Sequence, residues 1–409
     1  MGDAYRNKVI NMPDKLRSIP MNVCVGSPGR FHTFDLARQL ERVGVLKRLY
    51  TGYPPWKVDG LPPKRVSTFP WLTLAAHGAG RLGFQSVQRS LNWPLIKTFD
   101  SWLSNRLEPC DVFHCLSSFG VASHRVAKAR HGALTVCDRG SSHIQFQDEI
   151  LREEQLSLGM PYRPIDPRVI ERELTEYDEC DLIFVPSRFV QRSFIDKGVA
   201  QEKLRVVPYG VDLKMFRPVH KEDKVFRIIY VGELSVRKGI HYLLEAASRF
   251  PAKEVEVWLI GAALPESQAL LQPYEGRFRH LDVLPRAELY RYYSQGSVFV
   301  IASIEEGLAL VQAQAMACGI PIIATTNTGG EDLFSDGVEG FIVPIRNADA
   351  IAEKIAQLLR FPNDLEMMGQ AARKRVLAIG GWNSYGLKVL SAYASGQLPQ
   401  TAIGHRANP

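Results

Sequence analysis

The chain reads as an α/β protein of two domains, and three features lead to that class. Twice an apolar strand runs through a glycine-marked loop toward a helical stretch: Met21-Asn-Val-Cys-Val25 before Gly26 to Thr33, and Ile228-Ile-Tyr-Val231 before Gly232 to Gly239. In an open parallel sheet such loops lie at the carboxyl ends of strands, where ligands bind. A third strand-like run, Leu134-Thr-Val-Cys137, leads in the same way into Asp138-Arg-Gly-Ser-Ser-His143. The length, 409 residues, is long for one domain and suits two of roughly 200, each able to bury a substantial core.

Taken in order, the first loop leads into a helix over about residues 34–43. It departs from the G-x-G-x-x-G dinucleotide fingerprint, because Pro28 and Arg30 interrupt the pattern. Gly29 lets the backbone approach a phosphate or marks a plain tight turn; residue type alone leaves both open. After the 134–137 strand, His143 stands in a glycine-serine loop, the kind of place where binding residues gather. A lone histidine is more often a structural hydrogen-bonder, and His32, His114 and His124 are weaker candidates for the same work. Arg139 shares the loop. Arg237 and Lys238 suit a diphosphate, one as a flat bidentate donor and the other as a point charge. By themselves they read better as a solvated basic loop.

The most informative stretch is Glu306-Gly-Leu-Ala-Leu-Val-Gln-Ala-Gln314-Ala-Met-Ala-Cys-Gly319. Its Ala, Leu, Met and Gln favour a helix, Gly319 sits where a C′ glycine belongs, and Ile320 to Thr325 reads as a buried strand. The pattern predicts a helix opening at or just after Glu306, with the free N–H groups of Leu308, Ala309, Leu310 and Val311 directed at an anion. At about 1.5 Å rise per residue, Glu306 and Gln314 would lie roughly 12 Å apart along it, the span of a nucleotide sugar.

This segment resembles the E-x7-E signature of the retaining glycosyltransferases of family 4, with Gln314 where the second glutamate stands. The likeness continues in order along most of the chain. It includes Val185-Pro-Ser-Arg-Phe189, Val207-Pro-Tyr-Gly-Val-Asp212 with Phe216 and Pro218, and Ile228 to Gly239. Beyond these come Leu281 to Leu289 with Tyr292 and Tyr293, Thr328-Gly-Gly-Glu-Asp332 with Gly337, Gly340 and Pro344, and the stretch from Trp382 to Tyr393. The resemblance implies the GT-B fold, two Rossmann-like α/β/α domains facing each other across a cleft. Residues 1–208 are then the acceptor domain, 209–382 the nucleotide-sugar domain, and 383–409 a helix and tail returning to the first.

It implies roles as well. Glu306 binds hydroxyls of the donor sugar, His143 contacts that sugar, and Gln314 faces the ribose with neutral hydrogen bonds, weaker than a carboxylate's by about 1 kcal/mol. The backbone at Leu284 lies against the base. Arg237 and Lys238, with the backbone of Leu308, Ala309, Leu310 and Val311, surround the diphosphate, and Gly29, Arg139, Gly232, Glu233 and Gly307 complete the donor contacts.

Composition narrows the remaining classes. No run of about 18 apolar residues occurs, and residues 1–20 carry polar and charged side chains where a signal peptide needs an apolar core. Six cysteines without a C-x-x-C pair are expected to be reduced structural thiols in a cytoplasmic protein. No Asp-x-Asp motif is present, so no metal or other cofactor is expected, and the cationic pair takes over the leaving phosphate. The net charge of +7 arises entirely within residues 1–208. Between Gly60 and Phe99 stand Lys64, Arg65, Arg81, Arg89 and Lys97 with no acid, interspersed with Phe69, Trp71, Phe84 and Trp93. Such a stretch suits an anionic membrane surface, on the inner face for a cytoplasmic protein, or is a solvated basic face. No nucleic-acid motif accompanies it.

The expected reaction is transfer of a hexose, with retention, from a nucleotide diphosphate sugar such as UDP-glucose to a hydroxyl of a glycan or lipid-linked acceptor. The departing diphosphate helps to deprotonate that acceptor. Two other classes stay open: a nucleotide-sugar-binding protein without turnover, suggested by Gln314, and a sugar-nucleotide epimerase of the same architecture.

Overall fold

Two sheets organise residues 21–71 and 85–397, which the computed structural model describes. The first sheet is formed by β1 (Val23–Ser27), β2 (Leu46–Thr51), β3 (Val66–Thr68), β4 (Val112–Leu116), β5 (Leu134–Asp138), β6 (Leu182–Val185) and β7 (Leu204–Val206). Its order is β3-β2-β1-β4-β5-β6-β7, and the pairs from β3 through β6 are parallel. Every residue of β1 and of β4 is buried. Strands covered on both faces read as unbroken apolar runs rather than alternating ones, which is why Val-Cys-Val and Val-Phe-His-Cys-Leu form them.

The second sheet comprises β8 (Phe226–Val231), β9 (Val255–Ile260), β10 (Arg279–Leu281), β11 (Val298–Ile301), β12 (Ile322–Thr325) and β13 (Gly340–Val343). All its pairs are parallel, in the order β10-β9-β8-β11-β12-β13. The sequence therefore turns away to one side after β8 and returns to its other side at β11. The crevice outside the carboxyl ends of two such neighbours is where ligands bind in open α/β sheets. Ile228, Tyr230, Leu243, Val257, Val300 and Ile355 belong to the core that fixes the sheet against its helices.

Contacts group the described residues into two units. One holds the residues up to Asp138, Glu171–Phe184 and the residues from Tyr385 onward; the other holds Arg139–Ile170 and Val185–Ser384. The loop and helix after β5 thus group with the second sheet. The physical reason is a set of buried polar contacts: Ser142 and Gln147 bond Glu305, and Glu154, closed to solvent, bonds His241 and Arg346.

Within the first unit, Asp138 ends β5 as a buried carboxylate. It pairs with His32 Nε2 at 2.6 Å and His114 Nε2 at 2.9 Å, and the Tyr393 hydroxyl meets His114 Nδ1 at 2.9 Å. Burial pushes its carboxyl up, but the two imidazoles more than offset this and hold it far below the usual carboxylate range. The helix Trp382–Gln397 brings Tyr393 into this core. All six cysteines are buried and outside disulfides. Among the described residues no helix is long and apolar enough to cross a membrane.

Candidate active site

The loops after β8 and β11 meet, as the strand order requires. Gly232 leaves β8 with φ +154°, and Gly239 closes the loop with φ +60°. A Cβ at Gly239 would overlap the carbonyl oxygen of Ala302, the residue after β11. Only glycine allows the helix Ile240–Ser248 to start so close to that strand. The main chain ties the two loops directly, Ile304 N–H donating to the Arg237 carbonyl at 2.9 Å.

Each cation of the first loop faces an acid of the second. Lys238 Nζ is paired with Glu306, both side chains mostly buried. Burial, followed by the charge of Arg237, pushes the Lys238 ammonium down to about 7. Arg237 Nε donates to Oε2 of Glu305 at 2.8 Å, and Arg237 Nη2 donates to Ser141 Oγ at 2.9 Å. Glu305 has no solvent exposure. Burial pushes its carboxyl up, yet Arg237 and the donors of Ser142 bring it below its ordinary value, so it is a carboxylate.

The expected helix start is corrected. The helix runs Leu310–Ala317 with Ala309 as an extended N-cap, four residues later than a start at Glu306. Gly307 is held instead by the loop after β5 and by Ser187: a Cβ there would overlap the Gly140 carbonyl, and Ser187 Oγ donates to the Gly307 carbonyl at 2.7 Å. The Ala309 N–H is spent on the Thr328 carbonyl at 3.3 Å, so it is not an open donor. Leu310 and Val311 head the first turn, where backbone N–H groups lack intrahelical partners. Leu308 is buried beside them. Gly319, at φ +81°, is the glycine past the helix end, as its position predicted.

Gln314 lies on this short helix, buried, with Oε1 accepting from the Tyr293 hydroxyl at 3.1 Å. Because residues 306–309 are not helical, the regular rise from Glu306 to Gln314 does not apply. Glu233 offers its carbonyl to the Tyr230 hydroxyl at 2.7 Å. Leu284 lies on the loop after β10, next to the 71% exposed Val283.

His143 is buried and caps the helix Ile144–Ser157, its Nδ1 accepting from Gln145 N–H. Burial, then Arg139 and Lys197, push its imidazolium down to about 4, so the ring is neutral at pH 7. Arg139 reaches Gln147 Oε1 at 2.8 Å, and Gln147 Nε2 donates to Glu305 at 3.0 Å. Gly29 belongs to the other unit, in the turn where Ser27 Oγ donates to its carbonyl at 2.9 Å. Of the basic aromatic stretch, Arg81 and Phe84 lie outside the described residues, as does the Arg89 side chain; Arg65 turns to Glu41 at 3.3 Å, and Trp71 is 75% exposed.

Glu305 was not singled out in the sequence. Its signal was the doublet Glu305-Glu306 ahead of a glycine, in which only the second acid fits the motif spacing.

Two family models meet near the middle of the chain: one described as Glycosyltransferase Family 4 over residues 30–215, the other as Glycosyl transferases group 1 over residues 212–375. The chain belongs to the family 4 glycosyltransferases. A D-inositol 3-phosphate glycosyltransferase of Kribbella flavida is 30% identical over 220 residues, covering 48% of this chain and 52% of that relative. The match thus spans about half of that relative's length. Sucrose-phosphate synthase from Thermosynechococcus elongatus has the same fold, with TM-score 0.68, 20% identity and coverage of 92% of this chain and 98% of that one. Anabaena HepE in complex with UDP-glucose matches with TM-score 0.66 and 15% identity over 92% of this chain and all of that one. The fold of this glycosyltransferase family member is GT-B, with two parallel-sheet α/β domains.

Proposed function

We propose that this protein transfers a hexose, with retention, from a nucleotide diphosphate sugar to a hydroxyl of a glycan or lipid-linked acceptor. The observation that carries the reading is the pairing at the carboxyl ends of β8 and β11: two cations, Arg237 and Lys238, beside two acids, Glu305 and Glu306, at the topological switch point of the second sheet. Arg237 and Lys238 stabilise the diphosphate as its charge develops, with the first-turn amides of Leu310 and Val311 adding to them. Glu306 accepts from hydroxyls of the sugar. A UDP-sugar such as UDP-glucose is the first donor to try, HepE having been solved with it.

In the reaction the bond from the anomeric carbon to the diphosphate oxygen breaks, and the acceptor oxygen bonds that carbon on the same face. The acceptor proton passes to the departing phosphate oxygen, so no enzymic nucleophile is needed. The cationic pair supplies the charge that a metal would otherwise bring, and the chain has no Asp-x-Asp to hold one.

A thermal-shift screen of UDP-, GDP- and ADP-sugars tests the proposal. A donor at 100 times its Kd is expected to stabilise the fold by about 2.7 kcal/mol. Transfer from that donor, radiolabelled, then separates the enzyme from a binding protein without turnover. Absence of a shift with every donor overturns the reading.

A further inference from the structure

We propose that Glu305 is a positioning residue that sets Arg237 for the donor diphosphate; the inference rests on the role given to Arg237 above. Glu305 is fully closed to solvent, so it acts on a ligand only through another group. Its Oε1 accepts from the Ser142 N–H at 2.9 Å and the Ser142 hydroxyl at 2.7 Å. Its Oε2 accepts from Gln147 Nε2 at 3.0 Å and Arg237 Nε at 2.8 Å. A carboxylate offers about four lone-pair sites, and here all are taken. Three of the four bonds anchor the acid to the segment after β5; the fourth holds the guanidinium.

The consequence lies in what Arg237 has left. Its Nε is committed to Glu305 and one Nη2 hydrogen to Ser141, whereas Nη1 makes no hydrogen bond among the described residues. The side chain is 32% exposed. An arginine otherwise spread over many rotamers is thus held by one edge, with N–H groups of its planar fork remaining for a bidentate phosphate contact.

Charge alone predicts the opposite effect of Glu305. A buried negative charge beside a site for an anion repels that anion, so its removal would tighten binding if only Coulomb attraction mattered. If Glu305 works by holding Arg237, its removal weakens binding although the site becomes more positive. The two roles differ in sign.

The test compares the full chain with Glu305→Gln, Ser142→Ala, Arg237→Ala and the double variant Arg237→Ala/Glu305→Gln. Each is titrated calorimetrically with UDP, GDP and ADP, and the tightest of the three is followed. Glu305→Gln is expected to bind roughly tenfold or more weakly with unchanged circular dichroism, and the double variant no more weakly than Arg237→Ala. Ser142→Ala, which loosens the acid without touching Arg237, gives a smaller loss in the same direction and serves if Glu305→Gln does not fold. In protein labelled with [15N]arginine, the Nε–H signal missing from Arg237→Ala is expected to shift toward the position of a solvent-exposed arginine in Glu305→Gln, which leaves Nε only the weaker bond to the Glu305 main-chain carbonyl at 3.2 Å. Equal or tighter binding by Glu305→Gln, further weakening in the double variant, or an unmoved Nε–H signal overturns the proposal. If the wild-type chain binds none of the three diphosphates, the donor-site reading falls, and the Nε–H signal still decides whether Glu305 holds Arg237.

Discussion

The Tyr293 hydroxyl donates to Oε1 of Gln314 across 3.1 Å, and both side chains are buried. The residue that departs from the family's second glutamate is therefore also a packing residue, bridging the helix Leu310–Ala317 to the helix Leu289–Ser294. Gln314→Leu is expected to destabilise the fold by about 1–3 kcal/mol, because a buried hydroxyl loses its acceptor. Adding Tyr293→Phe should recover much of that loss, since apolar replacement of both partners is close to neutral. Urea unfolding of the three variants measures it; additive losses would show that the bond carries no coupling.

Kinetics separate the two ends of the motif. Gln314→Ala is expected to raise the donor KM with kcat changed much less, the pattern of lost uniform binding. Glu306→Ala, by contrast, lowers kcat as well as kcat/KM, because Glu306 is assigned to the sugar that reacts and is paired with Lys238. An unchanged donor KM in Gln314→Ala would remove the ribose assignment.

Arg237→Ala and Lys238→Ala are each expected to lower turnover on the order of 100-fold or more, the cost of removing one donor aimed at developing charge. Circular dichroism checks that the fold is intact. Near-normal kcat in both variants would leave the switch-point loops without their proposed function.

Activity is expected to survive EDTA, since the cationic pair and first-turn amides act on the leaving group. Loss of turnover with EDTA and its recovery with Mn²⁺ or Mg²⁺ is the contrary result.

A pH prediction follows from His124, buried against Phe113 in the first unit. Burial pushes its imidazolium down to about 4, from an ordinary value near 6.5. The folded state therefore binds fewer protons than the unfolded chain between these values. This share of stability is present above about pH 6.5 and is lost as the pH falls toward 4, on the order of 3 kcal/mol in all. Denaturation midpoints of His124→Phe should fall less than those of the wild-type chain between pH 7 and 4.5; parallel profiles would refute it.

Much of the architecture was written in local order. Val-Cys-Val, Ile-Ile-Tyr-Val and Ile-Ala-Thr are short, largely apolar runs of the kind a doubly covered parallel sheet accommodates, and Gly239 and Gly319 marked turns that their positive φ angles require. Arg237, Lys238 and Glu306 were legible because chemistry and motif spacing coincided at strand ends. What the chain alone could not express was partnership across distance. Glu305 and Glu306 are neighbours of the same type, yet one is sealed beneath Ser142, Gln147 and Arg237 while the other pairs with Lys238. The helix likewise opens at Leu310 rather than near Glu306, because Ser187, Gly140 and Thr328, distant in sequence, take up the backbone from Gly307 to Ala309. Propensity and periodicity report what a segment prefers by itself; which hydrogen bonds and ion pairs compete for it is decided only when remote segments pack against it.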